Sequence, residues 1–443
     1  MSKVLKRNRL GLLWEMRLGK TMVAIRWAES RAPSKVLVIC PSYVGETWRN
    51  ELRKEGIRHV GMLVGPHTDE ERGQALASSH LRWYVVNYEQ LRTHPRLAQL
   101  PWNAVIVDES TRIRNPKAKI TQVACSSFRH VARRAILSGC PNPESDLDFF
   151  CQMVFLYDGF MGSTNFWEWR QANFHQGYTQ WQWNPNRGTS EKIKKIIHKR
   201  CSVLTRRKAG MRERWVREVR YVDLPKKIRK VYNKTEREWV LGQAETKYAV
   251  VKSTWLAKLA GGCACPKEYR HSAKTNALIE IVQGELAKEQ AIVWFRFNDE
   301  LRECYRRLRK AKISCETMIG GETQRRREAK RKRFTRGSFR LFLVQAKCAM
   351  FGLDLSVSDT AIYFSRWFDG EVNAQTRDRI VHPQKKTTLL VVDLVTRDTT
   401  DEDVLSAVKS KQFTQRIFTS NLFKALKRRR KRWNATQEIQ RQS

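Results

Sequence analysis

A chain of 443 residues has room for two or three domains, and 85 Lys and Arg against 44 Asp and Glu give it a formal charge of +41 and a pI near 10.3. That excess points to a polyanionic partner, above all nucleic acid, because each phosphate neutralised releases counterions. Fifteen Trp and many buried-strand runs speak against a ribosomal or histone-like protein, and ten scattered Cys without paired CxxC spacing against a disulfide scaffold. No apolar run is long enough to span a bilayer, and the basic start (Lys3, Lys6, Arg7, Arg9) leads into too short an apolar stretch for a signal peptide. The expectation is a soluble cytoplasmic protein, associated with the nucleoid of a bacterial or phage-infected cell and free of membrane.

The first predicted element is the apolar stretch Leu10 to Trp14, followed by Met16-Arg17-Leu18-Gly19-Lys20-Thr21 and a helix beginning near Met22. Gly-Lys-Thr opening a helix is the end of a phosphate-binding loop. Backbone N–H groups and the helix N-terminus hold the phosphates, Lys20 neutralises their β/γ oxygens and the Thr21 hydroxyl holds Mg²⁺. The full pattern has Gly where Trp14 stands, so the tripeptide alone also reads as a basic helix start.

Short apolar runs then alternate with helical stretches in two blocks. The first holds Val36 to Cys40, Trp83 to Val86, Ala104 to Val107 and Ala135 to Leu137; the second holds Ala291 to Phe295, Leu341 to Val344, Ala361 to Phe364 and Thr388 to Val392. Runs apolar on both faces, separated by helices, mark buried parallel strands of doubly wound α/β domains, and two blocks imply two such lobes with a cleft between them. The expected boundaries are a first lobe over 1–157, an aromatic and helical insertion completing it over 158–223, a helical linker over 224–273, a second lobe over 274–411 and a basic tail over 412–443.

Val105-Ile106-Val107-Asp108-Glu109 is a buried strand ending in two acids. Asp108 can hold Mg²⁺ through water and Glu109 can polarise the attacking water; taken alone, the pair reads equally as a strand closed by a turn. In the second block, Gln375 to Arg379 includes an Arg suited to charge developing on a transferred phosphoryl group, although a salt-bridged surface helix would look the same.

Together these segments resemble, in order over roughly 10–411, a superfamily-2 ATPase of the Swi/Snf-like DNA-translocase group, in the compact form common in bacteriophages. Glu15 to Thr21 resembles motif I, and Cys40-Pro41-Ser42 with Trp48 motif Ia, followed by the short Asn87-Tyr88-Glu89 element. Asp108 to Asn115 resembles the Walker B motif and its extension, and Leu137 to Pro143 motif III. Ala291 to Leu301 resembles motif IV, Ile319-Gly320-Gly321 with Arg325-Arg326 the next element, Gly352 to Leu355 motif V and Gln375 to Arg379 motif VI. Arg17 stands where the family usually has Gly, and His382 where motif VI has its second Arg.

The resemblance implies two tandem RecA-like lobes and an enzyme that hydrolyses ATP with Mg²⁺. Arg17, Leu18, Gly19, Lys20, Thr21, Gly352 and Asp354 would bind ATP, Thr21 and Asp108 the metal, and Glu109, Gln375 and Arg379 would be catalytic. It also implies DNA contacts at Ser42, Trp48, Asn115 and Lys347, while the charge of +41 favours duplex-phosphate contact for Arg325 and Arg326 and for Arg428, Arg429 and Arg430 in the tail. The expected activity is translocation on double-stranded DNA by a monomer, remodelling DNA or DNA–protein complexes alongside phage or host replication and recombination proteins. A strand-separating helicase and an ATPase-impaired DNA-binding scaffold are the alternatives. The aromatic stretch Phe166 to Trp183 can stack bases, but packing of the insertion is the expected role; Cys263, Cys265 and His271 lack the usual zinc-ligand spacing.

Overall fold

Each expected apolar run forms a strand, buried on both faces except at the start of Thr388 to Val392, where Thr388 is exposed and Leu390 half-buried. In this computed structural model the described residues are 2–409 without 65–68, 79, 95–96, 99, 143–144, 178–182, 212–213, 242–245, 264, 352, 368, 383–384 and 386. The chain divides into two units, Met1–Arg212 and Glu213–Ser443.

The first unit contains β1 (Arg9–Trp14), β2 (Val36–Cys40), β3 (Val60–Leu63), β4 (Trp83–Asn87), β5 (Ala104–Asp108) and β6 (Arg133–Ser138). The short β7 (Phe174–Gln176) and β8 (Trp183–Pro185) form a separate antiparallel pair, and β9 (Ser202–Leu204) returns to the main sheet. That sheet runs β3-β4-β2-β5-β6-β1-β9, all parallel. Alternate residues of each strand feed two cores, as strand geometry requires. Leu37, Ile39, Tyr84, Val86, Val105 and Val107 pack with the helix Phe149–Tyr157, whereas Val36, Val38, Trp83, Val85 and Ile106 pack with Val23, Ile25 and Trp27 of the helix Lys20–Glu29. Burial of each large side chain there stabilises by about 1.5–3 kcal/mol, which is why a helix beginning without a side-chain cap holds.

The second unit has β10 (Arg214–Val222), β11 (Ala291–Phe295), β12 (Cys315–Met318), β13 (Leu341–Gln345), β14 (Thr360–Tyr363) and β15 (Thr388–Thr396), in the parallel order β10-β15-β14-β11-β13-β12. Two boundaries differ from the expectation. Residues 214–222 do not complete the first lobe: they pair along their whole length with β15, so the division falls at Arg212 rather than 223. The expected linker over 224–273 is part of the second unit. Its helices Lys226–Leu241 and Thr246–Gly261 place Ile228, Tyr232, Leu256 and Leu259 in one core with Val404 of the helix Thr400–Lys409. Leu224-Pro225 begins that helical pair, and basic residues on its outer face hid its apolar stripe. Among the described residues no helix is long and apolar enough to cross a membrane.

Candidate functional site

Parallel strands present their following loops at one edge of a sheet. In the first unit Leu13 is in register with Ser138, Leu137 with Asp108 and Val107 with Ile39. The loop after β1, the Asp108-Glu109 pair after β5 and the Ser138-Gly139 turn after β6 therefore share that edge. Because β5 and β6 stand between β1 and β2, the edge also holds a topological switch point, where α/β sheets bind ligands.

The loop after β1 turns sharply twice. Gly19 lies in the left-handed region at φ +76°, and so does Arg17 at φ +70°, a conformation that favours glycine and strains an arginine. Glu15 anchors the loop: its amide donates to the Leu204 carbonyl, and its carboxylate accepts from the Arg206 amide at 2.7 Å. No side chain caps the helix Lys20–Glu29, which leaves its first N–H groups to an anion. The Lys20 ammonium donates to the carbonyls of Trp14 (2.9 Å) and Glu15 (3.3 Å), so the loop curls around it. A Cβ built on Gly139 would lie 3.0 Å from Met16 Cγ and 3.7 Å from Lys20 Nζ, which brings motif III against the same loop.

Asp108 is buried at the end of β5. Its Oδ2 accepts from the indole of Trp48 at 2.8 Å and its Oδ1 from the Glu109 amide at 2.9 Å. Burial, then the neighbouring Glu109, raises its pKa to about 6, opposed by the Trp48 hydrogen bond and the Lys20 charge. Glu109 sits at φ +50°. The Tyr88 hydroxyl donates to the carbonyls of Asp108 (2.6 Å) and Glu109 (3.3 Å), fixing that turn. Ser110 Oγ donates to Gln152 Oε1, and Gln152 Nε2 donates to the carbonyls of Pro141 and Asp148. Gln152 thereby ties the Walker B element to motif III.

Trp48 is a correction to the expected DNA contacts. With 0% of its surface exposed and its indole spent on Asp108, it has nothing to offer a polyanion. Ser42 and Asn115 are exposed, and Asn115 Oδ1 accepts from the Lys117 amide. Thr21 follows Lys20 in the first helical turn. A hydroxyl at Thr21 and a buried carboxylate at Asp108 are hard oxygen donors of the kind Mg²⁺ takes.

In the second unit β11, β13 and β14 also end together, Phe295 being in register with Gln345 and Trp294 with Tyr363. Lys347 is exposed after β13, its ammonium 4.6 Å from the Trp367 ring centroid. Arg325 and Arg326 are exposed in the first turn of the helix Gln324–Thr335, whose Thr323 cap accepts from the Arg326 amide. Asp354 accepts from the Ser356 amide; Gln375 is buried on the helix Gly370–Asp378, and the carbonyl of the half-buried Arg379 accepts from the Leu355 amide. That last bond joins motifs V and VI. Gly352 and Arg428, Arg429 and Arg430 lie outside the described residues, as do Tyr178 and Trp181.

Sequence reasoning missed Tyr88's role, Gln152 and the pair of Arg366 with the buried Asp393. Gln152 had a signal, as the one amide side chain within the apolar helix Phe149–Tyr157. Arg366 Nη2 donates to Asp393 Oδ2 at 3.1 Å and the guanidinium lies 3.5 Å from the Tyr363 ring centroid, a contact between distant segments that no spacing announces.

Residues 1–272 match the family model of the SNF2-related domain. The chain belongs to the SNF2-related family. Residues 273–384 match the helicase conserved C-terminal domain, so this SNF2-related chain carries both halves of a helicase-type core. An uncharacterized ATP-dependent helicase of Mycoplasma genitalium is 22% identical over 93% of this chain and 40% of its own length. Mouse DNA excision repair protein ERCC-6-like 2 is 33% identical over 30% of this chain and 9% of its own. The chain thus spans less than half the length of these relatives. The helicase domain of Pyrococcus furiosus Hef shares the fold, with a TM-score of 0.51 at 16% identity, over 92% of this chain and 97% of that one.

Proposed function

We propose that this SNF2-related chain is a DNA-dependent ATPase that moves along double-stranded DNA. The observation that carries the reading is the clustering of Lys20, Asp108 and Glu109 at one edge of a parallel sheet, with Asp108 buried and held by Trp48. ATP is the substrate, and Mg²⁺ would neutralise the charge on its phosphates. Gly19, Leu18 and the helix N-terminus would cradle the phosphates, with Lys20 exchanging its loop carbonyls for phosphate oxygens. Thr21 and Asp108 would hold the metal, and Glu109 would orient the attacking water. Arg17 would add a guanidinium where relatives use bare backbone. Gln375 and Arg379, with Gly352 and Asp354, are assigned to the nucleotide from the second unit.

The charge of +41 and the family favour DNA. Ser42, Asn115, Lys347, Arg325 and Arg326 are exposed and suited to phosphates, and Arg428, Arg429 and Arg430 would add non-specific attraction. Phosphate contacts carry no sequence information, which suits a motor that steps along any duplex. The finer reading, a monomeric phage-type motor in replication, recombination or repair, rests on motif style alone.

Displacement of a third strand from a blunt duplex carrying a triplex tests the proposal. Wild-type protein with ATP should strip the strand and Lys20→Ala should not. Stripping by both variants alike, or by neither, would contradict translocation.

A further inference from the structure

Trp167 is the largest of the four big apolar side chains that are exposed among the described residues, with 40% of its surface accessible. It does not dangle. The Asn165 side chain caps its helix and accepts from the Trp167 amide at 2.9 Å, while Phe166 meets the indole edge-on at 5.1 Å. The Lys117 ammonium lies 5.2 Å from its ring centroid and the Arg170 guanidinium 4.8 Å; Arg170 also lies 3.8 Å from the ring centroid of Trp183. Ring and cation therefore alternate through Lys117, Trp167, Arg170 and Trp183. By contrast, the neighbouring aromatics Trp169 and Phe174 are core residues, as expected of the insertion.

Among the described residues Lys117 and Arg170 form no ion pair, and the buried Arg170 Nε has no acceptor. The exposed Tyr221 also meets a cation, Arg397, but that arginine is ion-paired with Asp223. An ordered, open ring flanked by two cations is complementary to an aromatic group on a polyanionic backbone. Inside a duplex the faces of each base are covered by its stacked neighbours, whereas an unpaired, unstacked base offers a face to the ring. The backbone amide of Lys117 holds Asn115, so the platform adjoins an element already assigned to DNA phosphates.

We propose that Trp167, Lys117 and Arg170 form a stacking platform for an unpaired nucleobase, so that the protein binds forked or single-stranded DNA more tightly than blunt duplex. The inference rests on DNA being the partner, and not on ATP turnover. Fluorescence anisotropy at fixed salt, without nucleotide, would compare a labelled fork with a blunt duplex of equal length. Trp167→Ala should weaken fork binding about 5- to 150-fold, the effect of losing one stacked base, and leave the duplex within about twofold. Trp167→Phe should restore most of the fork affinity. Lys117→Ala, a surface change, should reproduce the selective loss to a smaller extent, so a folding defect in the first variant leaves the test intact. Unchanged fork affinity in both Trp167→Ala and Lys117→Ala, or equal loss on fork and duplex, would overturn the platform. Failure of the wild-type protein to bind blunt duplex while it binds the fork would overturn the duplex-motor reading instead.

Discussion

The indole of Trp48 donates to Asp108 Oδ2 across 2.8 Å with both side chains buried, so a residue of motif Ia acts on the carboxylate proposed to hold the metal. Trp48→Phe should keep the packing and delete that bond. Stability should fall by about 1–3 kcal/mol, and ATP turnover by about 10- to 100-fold, as for other supports of metal-ligating carboxylates. Duplex affinity should not change. Denaturant melts, phosphate release and anisotropy check the three; lost DNA affinity with intact turnover would return Trp48 to the DNA track.

Arg17 at φ +70° carries backbone strain that glycine would not. Arg17→Gly should therefore raise stability by up to about 1 kcal/mol, while Arg17→Ala, which keeps the strain and removes the guanidinium, should not. Thermal denaturation of the pair separates strain from side-chain loss. Nucleotide affinity measured on both then shows whether the guanidinium contributes to phosphate binding.

Glu300 is fully buried, and burial pushes its carboxyl up to about 7, with the Ser365 hydrogen bond and the charges of Lys274 and Arg296 opposing, and Asp401 adding to the rise. A raised carboxyl pKa means that the folded state binds the proton more tightly. The group's penalty is absent below about pH 4.5, grows as pH rises toward 7 and is then constant. Glu300→Gln keeps a partner for Ser365 and removes the charge, so its advantage over wild type should grow across that window to at most about 3 kcal/mol. Urea melts of both proteins at pH 5 and pH 8 measure it; equal differences at the two pH values would contradict the assignment.

The Arg366–Asp393 pair links the segment after β14 to β15 in a setting where little water can replace either partner. Asp393→Ala should cost about 3–5 kcal/mol, because it leaves a guanidinium, on a side chain only 12% exposed, without its carboxylate. A loss below about 1 kcal/mol in chemical denaturation would mean that solvent reaches the site.

The strands were legible wherever a run was apolar on both faces, because two-sided burial leaves no other solution for Val36 to Cys40 or Ala291 to Phe295. What escaped were half-exposed elements. β10 interleaves Arg214, Arg217 and Arg220 with Trp215, Val219 and Tyr221, and only its pairing with β15 marks it as a strand of the second unit. The helix Lys226–Leu241 hid its apolar stripe among lysines and arginines. Local spacing picked out Lys20, Asp108 and Glu109, and the fold brings them to one sheet edge. The supports from Trp48, Tyr88 and Gln152 could not be read that way, since each depends on a contact between segments far apart in sequence.

Phosphate release from ATP, with and without saturating blunt duplex DNA, shows whether nucleotide turnover is coupled to DNA. Wild-type protein should be stimulated by DNA, and Glu109→Gln should lose about 100-fold or more of the stimulated rate while binding duplex as before. A wild-type rate indifferent to DNA, or a Glu109→Gln rate equal to wild type, would rule out a DNA-dependent ATPase with Glu109 in that role.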